Sequence, residues 1–247
     1  MKRNTINDVI NIAHKRKIKV LTTYTANVAR LTEQIADVLL VGDSLGMVLY
    51  GMPSTHGVTI EMIINHTKAV ALSTTKPLIV ADMPFASVEK NKEEAFANCA
   101  KVIAQSGCDA VKIEGGIEMA ETIKFLVERG IPVCGHVGLM PQKVKTIGSY
   151  KKITDEEKVY NDFEAIYKAG AFAIVLENID SKISDKISRD FPEALTIGIG
   201  AGNNCKGRVA VFEDLINLST ENIPPFSKPV IDIKPVILEA LEKFFQN

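Results

Sequence analysis

Short apolar runs recur along this chain, and between them apolar residues return every three or four positions. The runs 18–24 (IKVLTTY), 36–44 (ADVLLVGDS), 77–83 (PLIVADM), 110–116 (AVKIEGG), 131–137 (IPVCGHV), 171–178 (AFAIVLEN) and 194–202 (ALTIGIGAG) predict strands. Their apolar stretches are mostly continuous rather than alternating, as in parallel strands covered on both faces. Residues 208–216 (RVAVFEDLI) are the candidate eighth strand. Helical spacing fills the intervals. Residues 5–15 form a short amphipathic helix with Ile6, Val9, Ile10 and Ala13 on one face and a Thr5/Asp8 capping box. Residues 26–35 carry Val28, Leu31 and Ile35, and a further helix covers 60–73. Residues 92–106 place Phe96, Cys99 or Ala100, and Ile103 on one face and stop at Gly107. Residues 118–129 carry Met119, Ile123, Leu126 and Val127 and stop at Gly130. A capping box from Thr154 to Glu157 opens a helix to about residue 169, with Val159, Phe163 and Ile166 inward. Pro235 fits the first turn of a last helix carrying Ile237, Leu238, Leu241, Phe244 and Phe245.

Strand followed by helix, repeated at this pace, implies parallel strands joined by right-handed crossovers. Eight such units in 247 residues fit a (β/α)₈ TIM barrel. A doubly wound open sheet is the alternative. No linker, low-complexity tract or charge block divides the chain, so residues 1–247 read as one barrel domain with a short N-terminal helix.

Composition narrows the function classes. Hydrophobic residues are 46%, charged residues 24%, and the net charge is −1. That balance points away from nucleic acid and anionic membrane surfaces. The N-terminus has no secretory signal, and no apolar run has the length that spans a bilayer. Cys99, Cys108, Cys134 and Cys205 form no CxxC pair and have no histidine at zinc-ligand spacing, so they read as reduced thiols of a cytoplasmic protein.

The C-terminal ends of the strands hold the candidate chemistry. The second strand ends in Gly42-Asp43-Ser44, the third in Asp82, the fourth in Lys112 and Glu114, the fifth in His136 and the sixth in Glu177. In a barrel these ends converge on one mouth, where active sites lie. Singly, Asp43 or Asp82 is an ordinary turn or cap residue; the succession on one face is not explained by turns. Lys112 and Glu114 are two apart, hence on the same side of a strand, where they form a structural ion pair or hold a ligand. Asp43, Asp82 and Glu114 are an excess of carboxylates that a hard divalent cation such as Mg2+ would relieve. The set lacks thiolates, which argues against zinc or copper. A cation with open positions can chelate a 2-oxo acid and stabilise its enolate, with Lys112 on the ligand carboxylate. Glu177 follows a strongly apolar run, and burial raises a carboxyl pKa toward the range of a general base; accepting hydrogen bonds at a strand end is the equal alternative. His136 is a satisfied polar group or a donor to a substrate oxygen. The GIGAG run at 198–202 lacks the third glycine of a dinucleotide fingerprint, since Asn203 follows; it either forms a tight turn or lets backbone N–H groups approach a ligand. Lysines 143, 145, 151 and 152 read as a solvated loop.

The segments VGDSLGMV (41–48), ST-x-x-VT (54–59), ADMPF (81–85), VKIEGG (111–116), VCGHVGLMPQ (133–142), VLE (175–177) and GIGAG (198–202) resemble, in order, the ketopantoate hydroxymethyltransferase family. The resemblance implies a barrel of the phosphoenolpyruvate/pyruvate-binding type. It implies transfer of a one-carbon unit from 5,10-methylenetetrahydrofolate to 3-methyl-2-oxobutanoate, giving 2-dehydropantoate on the route to pantothenate and coenzyme A. Mg2+ ligands map onto Asp43, Asp82 and Glu114, oxo-acid contacts onto Asp43, Ser44, Asp82 and Lys112, and the proton acceptor onto Glu177. Such enzymes are cytoplasmic homo-oligomers, decamers among them, acting on small molecules. Two positions depart from the family pattern: Thr25 stands where Asp is usual, and KITD from Lys152 replaces a V-Q-G-R/K segment. A related lyase or mutase barrel acting on another 2-oxo acid, and a non-catalytic oxo-acid-binding barrel, are the alternatives.

Overall fold

In a computed structural model that describes residues 2–148, 151–219 and 223–246, eight parallel strands close into a barrel in sequence order. They are β1 Ile18–Thr22, β2 Val38–Val41, β3 Leu78–Asp82, β4 Ala110–Glu114, β5 Val133–Gly138, β6 Ala173–Glu177, β7 Thr196–Ile199 and β8 Gly207–Ala210. Closure of β8 on β1, with Ile18 opposite Gly207, excludes the open sheet.

The core has two layers. Inside the barrel, Val20, Leu40, Val80, Ala110, Cys134, Val175, Ile197 and Val209 pack with Val9 of the helix Ile6–Ala13, which plugs the N-terminal end. Outside, Leu39, Ile79, Val111, Val133 and Ile174 pack against the surrounding helices. The alternation along each strand therefore separates inner from outer layer, and both are buried. Above the apolar inner layers the same inward rows turn polar: Asp82 lies opposite Lys112, Glu114 opposite His136, and Gly138 opposite Glu177.

Several helices form as their spacing predicts. The Thr5/Asp8 capping box is present, and Gly107 takes the left-handed conformation (φ 75°) that ends Lys92–Ser106. Other expectations need correction. The helix expected over 26–35 stops at Thr32; it buries Ala29 and Thr32, with Thr32 Oγ1 3.1 Å from Thr23 Oγ1, whereas Leu31 is 59% exposed and Ile35, past its end, 60%. In Lys92–Ser106 the buried face is Ala95, Cys99 and Val102, rotated from the Phe96–Ile103 line. The helix Glu156–Lys168 is capped by Asp155, whose side chain accepts from Lys158 N at 3.0 Å, not by Thr154. The eighth strand stops at Ala210, and Phe212–Leu215 is helical. Lys143 and Lys145 lie in the short helical turns Pro141–Lys143 and Val144–Ile147, and Lys143 pairs with Glu118. The helix Ser181–Asp190, not recognised in the sequence, spans the interval between β6 and β7 and buries Ile183 and Ile187. The last helix, Lys234–Gln246, forms but buries none of its residues. No described helix is long and apolar enough to cross a membrane.

Candidate active site

The polar upper layer of the barrel gathers residues from five strand ends. β2 gives way at Gly42 to Asp43 and Ser44, which lead into a helix at Leu45–Val48. Asp82 ends β3, Lys112 and Glu114 come from β4, His136 from β5 and Glu177 from β6. Asp43, Asp82, Lys112, Glu114 and His136 are all buried. Glu177 is more open, with 15% of its side chain exposed.

The contacts make one network. Asp43 N donates to Asp82 Oδ2 at 3.0 Å. Lys112 Nζ stands 3.3 Å from Asp82 Oδ1 and 3.7 Å from Glu114 Oε1, so the ion pair expected from the two-residue spacing is present. His136 Nδ1 is 3.2 Å from Lys112 Nζ and 3.4 Å from Glu114 Oε1; its Nε2 is 3.3 Å from Glu177 Oε2. The histidine thus stands between two carboxylates, one on each side of its ring, and its Nε2 makes no hydrogen bond. Tyr24 OH lies 2.8 Å from Ser44 Oγ.

Electrostatics divides the carboxylates. Burial pushes the Asp43 carboxyl well above its ordinary pKa, and repulsion from Asp82 and Glu114 adds to it. Burial also raises Asp82, against the pull of Lys112. Glu114 is desolvated too, yet His136, Lys112 and the Gln142 N–H outweigh burial and hold it below the ordinary value. Burial works against the Lys112 ammonium, but Asp82, Glu114 and Asp43 keep its pKa raised. For His136 the burial penalty and Lys112 act downward; Glu114 and Glu177 prevail and push it to about 9.

Negative charge is therefore in excess around Asp43 and Asp82, and Asp82 Oδ1 is buried without a hydrogen bond. An oxygen-rich, under-neutralised set fits a hard divalent cation. Among the described residues no three His, Cys, Asp or Glu side chains converge closely enough to hold a metal ion by themselves.

Three neighbours of the site escaped the sequence reading. Gln142, Tyr24 and Glu213 carry no spacing that ties them to it. Glu213, just past β8, is buried with Oε2 lacking a hydrogen bond, and burial raises its pKa to about 7. Conversely, GIGAG does not present an open cradle. Gly200 (φ 64°) faces the ring of Phe226, 2.9 Å from where a β-carbon would stand, so the glycine admits that ring. The KITD segment is pinned beside the site: Ile153 N donates to Asn178 O at 2.8 Å, next to Glu177.

Comparison with known proteins agrees with this architecture. The family model for ketopantoate hydroxymethyltransferase matches residues 3–247. The 3-methyl-2-oxobutanoate hydroxymethyltransferase of Paramagnetospirillum magneticum is 46% identical, covering 99% of this chain and 90% of its own. That of Brucella canis is 48% identical, covering 92% and 84%. Among solved structures, phosphonopyruvate hydrolase in complex with oxalate and Mg++ superposes with a TM-score of 0.66 at 13% identity, covering 98% of this chain and 86% of that one. 2,3-Dimethylmalate lyase gives 0.64 at 14% identity, covering 99% and 86%. The distant pair shares the fold; the relatives at high identity and the family match place the chain in the ketopantoate hydroxymethyltransferase family of enzymes.

Proposed function

We propose that this enzyme transfers a hydroxymethyl group from 5,10-methylenetetrahydrofolate to 3-methyl-2-oxobutanoate, yielding 2-dehydropantoate for pantothenate and coenzyme A synthesis. The observation that carries the reading is the single network joining Asp43, Asp82, Lys112, Glu114, His136 and Glu177 at the barrel mouth, in a chain of this family. Asp43, Asp82 and Glu114 hold Mg2+, and phosphonopyruvate hydrolase, a protein of the same fold, was solved with Mg++ and oxalate. The cation, when bound, supplies Lewis-acid stabilisation of the negative charge that develops on the keto oxygen.

The residues of the chain do the rest. Lys112 offers a buried ammonium to the substrate carboxylate, and Ser44, held by Tyr24 OH, contributes a hydroxyl beside it. Glu177 takes the proton from C3, with His136 Nε2 standing 3.3 Å from its Oε2. The electron pair left on C3 forms the new carbon–carbon bond to the one-carbon unit. Water's oxygen becomes the product hydroxyl oxygen as both carbon–nitrogen bonds from the one-carbon unit to folate break; the two water protons go to the folate nitrogens, giving tetrahydrofolate, and the C3 proton passes from Glu177 to the hydroxyl.

Two further readings accompany this one. The protein works in the cytoplasm; its four free, buried cysteines suit a reducing compartment. It assembles as a homo-oligomer, supported by the last helix, whose Val236, Leu238, Leu241, Phe244 and Phe245 are exposed.

Incubation with both substrates and Mg2+ tests the activity. Formation of ketopantoate is expected. Its absence, with turnover of a different 2-oxo acid, would favour the lyase or mutase alternative; binding of the oxo acid with no chemistry at C3 would favour the non-catalytic one.

A further inference from the structure

Gln142 sits on the Pro141–Lys143 turn, immediately beyond β5, and is buried. Its side-chain nitrogen donates to Asp43 Oδ2 at 2.8 Å and to the Met83 carbonyl at 3.0 Å. Both partners are acceptors, so the amide has one workable orientation: the oxygen end would face two other oxygens. Its backbone N–H donates to Glu114 Oε2 at 3.1 Å. Its carbonyl meets His56 Nε2 at 2.7 Å, and His56 packs its ring edgewise on Phe85 at 4.5 Å between centroids. One residue therefore grips a carboxylate from the β2 end and another from the β4 end, and is itself held by the Thr55–Gly57 turn.

We propose that Gln142 is a positioning residue for cation binding, setting Asp43 through its side chain and Glu114 through its main chain. The proposal rests on the metal reading above. The two carboxylates repel, and nothing in their own strands fixes the distance between them. Gln142 occupies one oxygen of each, which leaves the others to turn toward a cation or toward Lys112 and His136. The Met83 bond ties the same amide to the segment following Asp82.

Substituting Leu keeps the volume and the backbone N–H but removes both side-chain donors. Groups that orient metal ligands typically change metal affinity by about 10–100-fold. Mn2+ binding to the protein free of both substrates, followed by electron paramagnetic resonance, should weaken in Gln142→Leu by roughly that factor. The Mg2+ concentration for half-maximal activity should rise in parallel, while kcat at saturating Mg2+ falls far less. His56→Ala, which frees the Gln142 carbonyl without touching the amide, should weaken Mn2+ in the same direction by a smaller factor and serves if Gln142→Leu does not fold. Equal Mn2+ affinity in wild type and both variants overturns the role of Gln142 and leaves the metal reading intact. Loss of kcat at saturating Mg2+ with unchanged Mn2+ affinity also overturns it. Failure of the wild-type protein to bind Mn2+ overturns both.

Discussion

Nε2 of His136 stands 3.3 Å from Oε2 of Glu177, while Nδ1 of the same ring stands 3.4 Å from Glu114 Oε1. The two carboxylates, proposed as base and metal ligand, thereby flank one buried imidazole. In the proposed reaction Glu177 would receive its proton on one side of this ring while Glu114 helps hold the cation on the other.

Glu177→Gln removes the proposed proton acceptor and keeps the shape. Turnover should fall by roughly 10²–10⁴. Affinity for 3-methyl-2-oxobutanoate, measured by calorimetry with Mg2+ present, should change little, because the proposed binding groups lie on other strands. Near-normal turnover would move the base elsewhere.

Asp37, just before β2, holds the segment between the N-terminal helix and β1. Burial disfavours its charge, but bonds from Arg16 at 2.7 and 2.8 Å and from Lys19 N at 2.9 Å hold its pKa below the ordinary 3.8. A carboxylate with a depressed folded-state pKa stabilises above its unfolded value, and the benefit is lost as pH falls through the depressed one. Asp37→Asn should cost about 1.5–3 kcal/mol at pH 7, the range for hydrogen bonds to a charged group. The gap between wild type and variant in urea unfolding should narrow as the pH drops below 3.8. A gap that stays constant down to strongly acid pH would contradict this account of Asp37.

Thr25 begins the helix Ala26–Thr32 in extended geometry, yet its side chain makes no cap bond; its hydroxyl turns to Asn27 Oδ1 instead. Aspartate at that position can accept from the first-turn N–H groups and complement the helix dipole. Thr25→Asp should stabilise by about 0.5–1 kcal/mol, raising Tm by a few degrees at most for a chain of this size. An unchanged or lowered Tm would show that the hydroxyl is already optimal there.

The barrel and the placement of its acidic strand ends were legible because both reside in local pattern. Continuous apolar runs ending in Asp43, Asp82, Glu114 and Glu177 announce parallel strands and their C-terminal face together. What stayed hidden has non-local causes. Gln142 reaches an acceptor 99 residues away, and nothing near it in sequence marks it as buried. The helix Ser181–Asp190 shows only Ile183 and Ile187 as an apolar stripe within charged residues, too narrow to stand out. Leu31 and Ile35 have helical spacing and still face outward, because periodicity tells that a face exists and not what lies against it. His136 reads as an isolated polar group until β4 and β6 bring a carboxylate to each side of its ring.

The most direct test is exchange of the C3 proton of 3-methyl-2-oxobutanoate with solvent deuterium, followed by proton NMR without any folate. With Mg2+ the wild-type protein should catalyse exchange. Chelating the metal should abolish it, and Glu177→Gln should slow it by roughly 10²-fold or more. Exchange no faster than in buffer, or exchange that persists when Asp43, Asp82 and Glu114 are replaced together by their amides, would contradict a cation-held oxo acid at this mouth.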